Sequence, residues 1–209
     1  MVLDKAVMFK PKVNIDSKDN LETYFLEVYG QYKRKVLNTA LGLVQHLPDA
    51  EEITQDVFVT VYFELENFKG KSSIGTWIYR ITVNKSLDFL KSKKRKKRFA
   101  WLTSLFDPES GEELHIIPEF NHPGVQLENK EDVTILFQHV NQLPDKQKTA
   151  LILSVIEQLS YEEISKIMEI SLSAVESLIF RARQNLKKDI GGYLLKPALA
   201  PQVKYTTSV

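Results

Sequence analysis

Apolar residues recur at helical spacing along two separate stretches of the chain, and the pattern lapses between them. From Asn20 to Gln45 the apolar positions are Leu21, Phe25, Val28, Tyr32, Val36, Leu37, Ala40 and Val44, which predicts one or two helices. Pro48 then precedes Asp49-Ala50-Glu51-Glu52, where Asp49 is expected to cap a helix start and Glu52 to reach back as in a capping box. In the helix that follows, Ile53, Val57, Phe58, Val61 and Leu65 form one apolar face, suited to a core. Val59 and Phe63 form a second strip on the other side, among Glu52, Gln55 and Asp56. That strip either packs beneath another helix of the same domain or is a surface for docking a protein. After the polar loop Lys69-Gly70-Lys71-Ser72-Ser73, a helix is predicted from about Ile74 to Lys97, its inner face Ile74, Trp77, Ile78 and Ile81.

The second periodic stretch begins with Val133, Leu136, Phe137, Val140 and Leu143, and another apolar helix is expected from Asp145 to about Gln158. Ser160-Tyr161-Glu162-Glu163 has the form of a capping box. It opens a short helix burying Ile164, Ile167 and Met168, with a turn at Glu169 to Ser171. A last helix, Leu172 to Lys188, buries Val175, Ile179, Ala182 and Leu186 and carries Ser173, Ser177, Arg181, Gln184 and Lys188 opposite. Two short helices, a tight turn and a polar stripe on the second helix fit a helix-turn-helix that enters a major groove, although amphipathic helix pairs are common without DNA. The fold class is therefore all-α, two small helical domains joined by a linker.

Charge sharpens this division. The 209 residues carry 28 Lys and Arg against 27 Asp and Glu. The balance hides a segregation. Residues 1–98 hold 18 basic and 12 acidic side chains, 99–131 hold one and seven, 132–190 hold seven and eight, and 191–209 hold two and none. The acidic middle also contains Pro108, Gly111, Pro118, Pro123 and Gly124 without a sustained period, as a flexible linker would. The expected organisation is an N-terminal extension at 1–19, a basic domain at 20–98, the linker at 99–131, a second domain at 132–190 and a flexible tail at 191–209. No internal repeat of fixed period is evident.

The basic domain concentrates its cations. On the outer face of the helix from Ile74, Arg80, Asn84, Lys91 and Arg95 fall within about 60° at 100° per residue, and seven of the eight residues from Lys91 to Arg98 are basic. This is a footprint for phosphates, or else a solvated helix end whose cations favour the dipole. The neighbouring Gly-containing loop, with Phe68, Trp77 and Tyr79, supplies stacking surfaces of the kind single-strand readers use. Trp77 also shares the phase of Ile74, Ile78 and Ile81, so it can equally be core.

Other chemistries are not supported. With no Cys there is no disulfide framework, thiolate zinc site or cysteine nucleophile. His46, His115, His122 and His139 form no HExxH pair, and there is no phosphate-cradling Gly loop and no Ser nucleophile with a partner, so neither a metal, a cofactor nor an enzymatic activity is expected. Apolar runs such as Ala150 to Ile156 fall well short of the roughly 20 residues of a membrane span, and the first residues lack the apolar run of a secretory signal. A cytoplasmic protein without membrane insertion is expected.

The motifs carry a specific resemblance. Asp49-Ala50-Glu51-Glu52-Ile53-Thr54-Gln55-Asp56-Val57-Phe58, then Phe68-Lys69-Gly70-Lys71-Ser72-Ser73, then Thr76-Trp77-Ile78-Tyr79-Arg80-Ile81-Thr82-Val83-Asn84 resembles region two of bacterial RNA polymerase sigma factors of the extracytoplasmic function (ECF) subfamily. Leu143-Pro144, Leu159-Ser160-Tyr161-Glu162-Glu163-Ile164, and Ser171 through Val175-Glu176-Ser177 to Arg181-Ala182-Arg183 resembles region four of the same family, in the right order. The resemblance covers about residues 20–98 and 132–190.

It implies a non-enzymatic initiation subunit that binds core polymerase, directs it to a promoter and helps open the duplex. By this similarity Glu51, Glu52, Gln55, Asp56, Val59 and Phe63 would dock on the clamp coiled coil of core polymerase, with region four near its flap. Phe68, Lys69, Gly70, Lys71, Ser72 and Ser73 would take a flipped base of the minus-ten element, with Trp77, Arg80, Asn84 and Lys91 holding the melted strand. Tyr161, Ser171, Ser173, Ala174, Glu176, Ser177, Phe180, Arg181 and Arg183 would face the minus-thirty-five duplex. The acidic linker would run through polymerase, and an anti-sigma factor is a further partner common among ECF relatives. A free-standing helix-turn-helix regulator with a helical sensor or dimerisation domain is the alternative.

Three residues depart from the family pattern. Glu176 stands where relatives usually place Lys or Arg, Leu178 where Arg is common, and Glu169 where the turn often has Gly. An atypical upstream element is the expected consequence, because a carboxylate repels phosphate but accepts from a cytosine amino group. With seven basic and eight acidic residues, 132–190 is also expected to bind duplex weakly alone.

Overall fold

The structure, a computed structural model, describes residues 18–104 and 130–190, with side chains from 19 to 98 and from 136 to 188. Residues 1–17 of the expected N-terminal extension, 105–129 of the linker, the tail and the side chain of Val133 lie outside these residues, while 18–19, 99–104 and 130–131, expected as extension and linker, are helical. All regular secondary structure among them is helical: α1 (Lys18–Val44), α2 (Leu47–Glu64), α3 (Ile74–Ser104), α4 (Lys130–Gln142), α5 (Asp145–Val155), α6 (Tyr161–Met168) and α7 (Leu172–Ile190). They divide into two compact units, α1–α3 and α4–α7.

In the first unit the stretch from Asn20 is a single helix. It stops where Gln45 turns left-handed (φ 57°) and its N–H donates to the Leu41 carbonyl at 2.8 Å. The core is closed by Val36, Ala40 and Leu43 of α1, Val57 and Val61 of α2, Leu65 just beyond it, and Ile78 of α3. An aromatic cluster joins α1 to α2, with Phe58 4.7 Å from Tyr29 and Tyr62 5.1 Å from Phe25, both edge-on.

Two sequence expectations need correction here. The start of α2 is not capped by Asp49: the helix begins at Leu47, after an extended His46, with Pro48 in its first turn and no side-chain cap. Proline lacks only an N–H that has no partner in a first turn, so the helix starts ahead of it. Asp49 instead reaches across to α3. The inner face of α3 is also rotated from that expected. Ile78 is buried, but Ile74, Trp77 and Ile81 are only half-buried, and the buried positions are Thr76, Ile78, Tyr79, Thr82, Val83 and Ser86. Hydroxyls make this possible, since Thr82 and Ser86 donate to the carbonyls of Ile78 and Thr82 at 2.9 and 2.8 Å and so bury no unpaired polar group. Gly75 completes that face; a Cβ there would lie 2.9 Å from the Tyr32 hydroxyl.

In the second unit α7 packs against α4, α5 and α6. Val175, Ile179, Ala182 and Leu186 are all buried, as their spacing predicted. Phe137, Val140, Ile152, Leu153, Ile164 and Ile167 complete the core, whereas Met168 is half-buried. Helix α5 ends at Val155, three residues before the expected Gln158, where the backbone turns left-handed (φ 53°). The capping box forms as predicted: the Glu163 N–H donates to Ser160 Oγ at 3.3 Å and the Ser160 N–H to Glu163 Oε2 at 2.8 Å.

Candidate functional site

Three surfaces carry the residues singled out by the sequence. On α2, Glu52, Asp56, Val59 and Phe63 fall within about 60° on the side away from Ile53, Val57 and Val61. None of them packs beneath another described helix. Val59 is 55% exposed and Phe63 71% exposed, in a rim of exposed Glu51, Glu52, Gln55 and Asp56. The Lys85 ammonium of α3 lies 4.0 Å from the Asp56 carboxylate. Tyr62, which the sequence reading did not single out, adds to the strip: it is exposed and meets Phe63 edge-on at 5.6 Å. Its only sequence signal was an aromatic next to an outward-facing Phe.

Asp49 anchors the base of this helix. One carboxylate oxygen accepts from Lys93 Nζ at 2.8 Å and the other lies 3.0 Å from His46 Nδ1, with the side chain only 16% exposed. Burial alone would raise the carboxyl pKa, but Lys93 and His46 outweigh it and hold the group below the usual carboxylate value. One cation of the Lys91–Arg98 run is thereby committed to tying α3 to the start of α2.

The second surface is the loop before α3 and the helix face beyond it. Gly70 takes a left-handed conformation (φ 65°) with open space where a Cβ would stand. Lys69 and Lys71 are exposed, and Phe68 and Trp77 pack against one another with ring centroids 5.0 Å apart. The Trp77 ring is thus neither fully core nor a free platform. Tyr79 is buried and offers no stacking surface, a correction to the expectation. Ser73 caps α3, its hydroxyl accepting from the Thr76 N–H at 3.1 Å. Along α3, Asn84, Lys91 and Arg95 are exposed and Arg80 is half-buried; Lys91 also donates to Asp88 at 2.9 Å.

The third surface is α6, its turn and α7. Glu169 is left-handed (φ 55°), and its N–H donates to the Ser165 carbonyl; the Ser165 hydroxyl in turn donates to Ile170 O at 2.6 Å. Ser171 caps α7, its Oγ accepting from the Ala174 N–H at 3.2 Å. Two helices of 8 and 19 residues are therefore joined by a three-residue turn locked at both ends. Ser173, Glu176, Ser177, Phe180, Arg181, Arg183 and Gln184 are exposed, Phe180 at 63%, while Tyr161 and Ala174 are half-buried. Arg181 and Arg183 leave α7 on opposite flanks, about 160° apart.

The sigma-70 region 2 model matches residues 28–96, which hold the first two surfaces, and the sigma-70 region 4 model matches 136–186, which hold the third. The chain is 32% identical over 158 residues to the RNA polymerase sigma-H factor of Pseudomonas aeruginosa, covering 76% of this chain and 81% of that one. It is 30% identical over 160 residues to the ECF RNA polymerase sigma-E factor of Escherichia coli, covering 77% and 83%. The protein belongs to the ECF sigma factors. As a sigma factor it directs RNA polymerase in transcription initiation, and the free-standing regulator is not favoured: the half that reading assigns to a sensor is sigma region two. Among solved structures, the chain is similar in fold to the Bartonella quintana sigma factor RpoE in complex with the anti-sigma factor NepR (TM-score 0.62, 19% identity, covering 84% of this chain and 99% of that one). It is similar also to CnrH in complex with the cytosolic domain of CnrY (TM-score 0.57, 20% identity, covering 81% and 88%). No described helix is long and apolar enough to cross a membrane.

Proposed function

We propose that the sigma activity is divided among the three surfaces. The α2 strip of Val59 and Phe63, rimmed by Glu51, Glu52, Gln55 and Asp56, docks on the clamp coiled coil of core polymerase. The loop Phe68 to Ser73 receives an unpaired base of the minus-ten element, and Arg80, Asn84 and Lys91 hold the melted strand by its phosphates. Helix α7 enters the major groove of the minus-thirty-five duplex. The work is binding and strand separation without covalent chemistry, carried out in the cytoplasm. Since the Bartonella quintana neighbour was solved with an anti-sigma factor, such a protein covering the α2 strip is a natural regulator.

The exposure of Phe63 carries this reading. A phenylalanine 71% exposed at the C-terminal end of an acid-bearing strip contributes little to its own core and has the form of an interface anchor. Phe63→Ala should weaken binding to core polymerase by about tenfold or more, as for truncation of an interface anchor, with thermal stability within about 0.5 kcal/mol of the parent. Titration of labelled chain with core polymerase measures the first and thermal unfolding the second. Unchanged affinity would remove α2 from the docking surface.

A further inference from the structure

The first ten residues from the cap of α7, Ser171 to Phe180, contain no Lys or Arg; the first cation is Arg181. Yet the N-terminal residues of a recognition helix are those that reach base edges, and the commonest such contact is an Arg or Lys on guanine O6 and N7. The N-terminal turns of this helix lack the donors for that contact.

What it presents instead are acceptors. Glu176 is exposed in the second turn, and the positions three and four residues on either side, Leu172, Ser173, Ile179 and Phe180, offer no cation. Among the described residues it has no ion-pair partner, so both carboxylate oxygens keep their full accepting capacity. Beside it, the Ser177 hydroxyl donates to the Ser173 carbonyl at 2.8 Å, which commits its hydrogen and leaves only lone pairs to face outward. A groove-facing surface of this kind demands a donor. Two base edges supply one in the major groove, the cytosine N4 amino and the adenine N6 amino. The adenine amino is flanked by the N7 acceptor, which repels a carboxylate, whereas the cytosine amino has a C–H beside it.

Building on the assignment of α7 as the duplex-reading helix, we infer that Glu176 is a specificity residue that accepts a hydrogen bond from the N4 amino group of a cytosine in the upstream promoter element. The promoter set of this factor then differs from those of relatives with a cation at this position: a cytosine takes the place of a base read by Arg or Lys.

The test uses holoenzyme, the full chain with core RNA polymerase, transcribing a library of duplexes randomised across the upstream element. The wild-type chain should select one position for cytosine on one strand, by about 5- to 150-fold over the other bases. Glu176→Ala should lose selection at that position alone, and Glu176→Arg should move it to guanine. The helical content and thermal unfolding of the full chain, measured alongside, should be unchanged in both variants and exclude misfolding of the unit that carries α7. An upstream element selected without a cytosine, a cytosine preference that Glu176→Ala retains, or a gain by Glu176→Ala on all sequences alike would overturn the inference while leaving α7 as the reader. No selected upstream element with the wild-type chain would overturn the assignment of α7 itself, and this inference with it.

Discussion

Asp49 illustrates how a single side chain holds two elements together. Its folded-state pKa is lowered, so it stabilises the fold above the pKa of an unfolded aspartate, about 3.9, and that contribution is lost as pH falls through the folded value. Asp49→Asn should therefore cost about 1 kcal/mol at neutral pH and flatten the acid side of the stability profile. Urea unfolding between pH 7 and pH 2 checks this; an unchanged acid limb would show that the Lys93 contact is immaterial. The acid is legible in the sequence; its task is not. A capping motif is a local signal, and Lys93 lies 44 residues away. Glu169, by contrast, was noted from sequence as standing where the turn often has Gly, and it occupies a left-handed position that favours Gly.

At the scale of elements, what was legible depended on whether burial was apolar. The faces of α2 and α7 were read correctly because Val, Ile, Leu and Phe report their own burial through spacing. The face of α3 departs from the expected one because its buried positions include Thr76, Thr82 and Ser86, which hydropathy scores as surface although local side-chain hydrogen bonds let them pack. The error had a functional consequence: Tyr79, counted as a stacking surface, is inside, and the aromatic surface beside the loop is the Phe68–Trp77 pair. The outward strip of α2 could be seen in the sequence, but not whether another helix covered it. Only the packing of α1 and α3 against the opposite side of α2 leaves Val59 and Phe63 exposed.

For the whole molecule, the uneven charge assigns different tasks to the two units. Region two carries the Lys91–Arg98 run and region four is nearly balanced, with seven basic and eight acidic residues in 132–190. Affinity for duplex rises with the number of phosphates neutralised, so the fragment 130–190, which closes its own core, should bind promoter duplex no more tightly than about the micromolar range of non-specific association at physiological salt. A gel shift showing nanomolar, sequence-specific binding by that fragment would contradict this. On the proposed division of labour, region four is a reader whose occupancy depends on polymerase and on region two holding it at the promoter.

That dependence is the central claim, and run-off transcription with purified core polymerase tests it most directly. Using a promoter selected from the randomised library, the account predicts transcripts from a fixed start only when chain and core are both present, lost when either promoter element is scrambled. Tight sequence-specific binding by the chain alone, with no initiation when core is supplied, would contradict it.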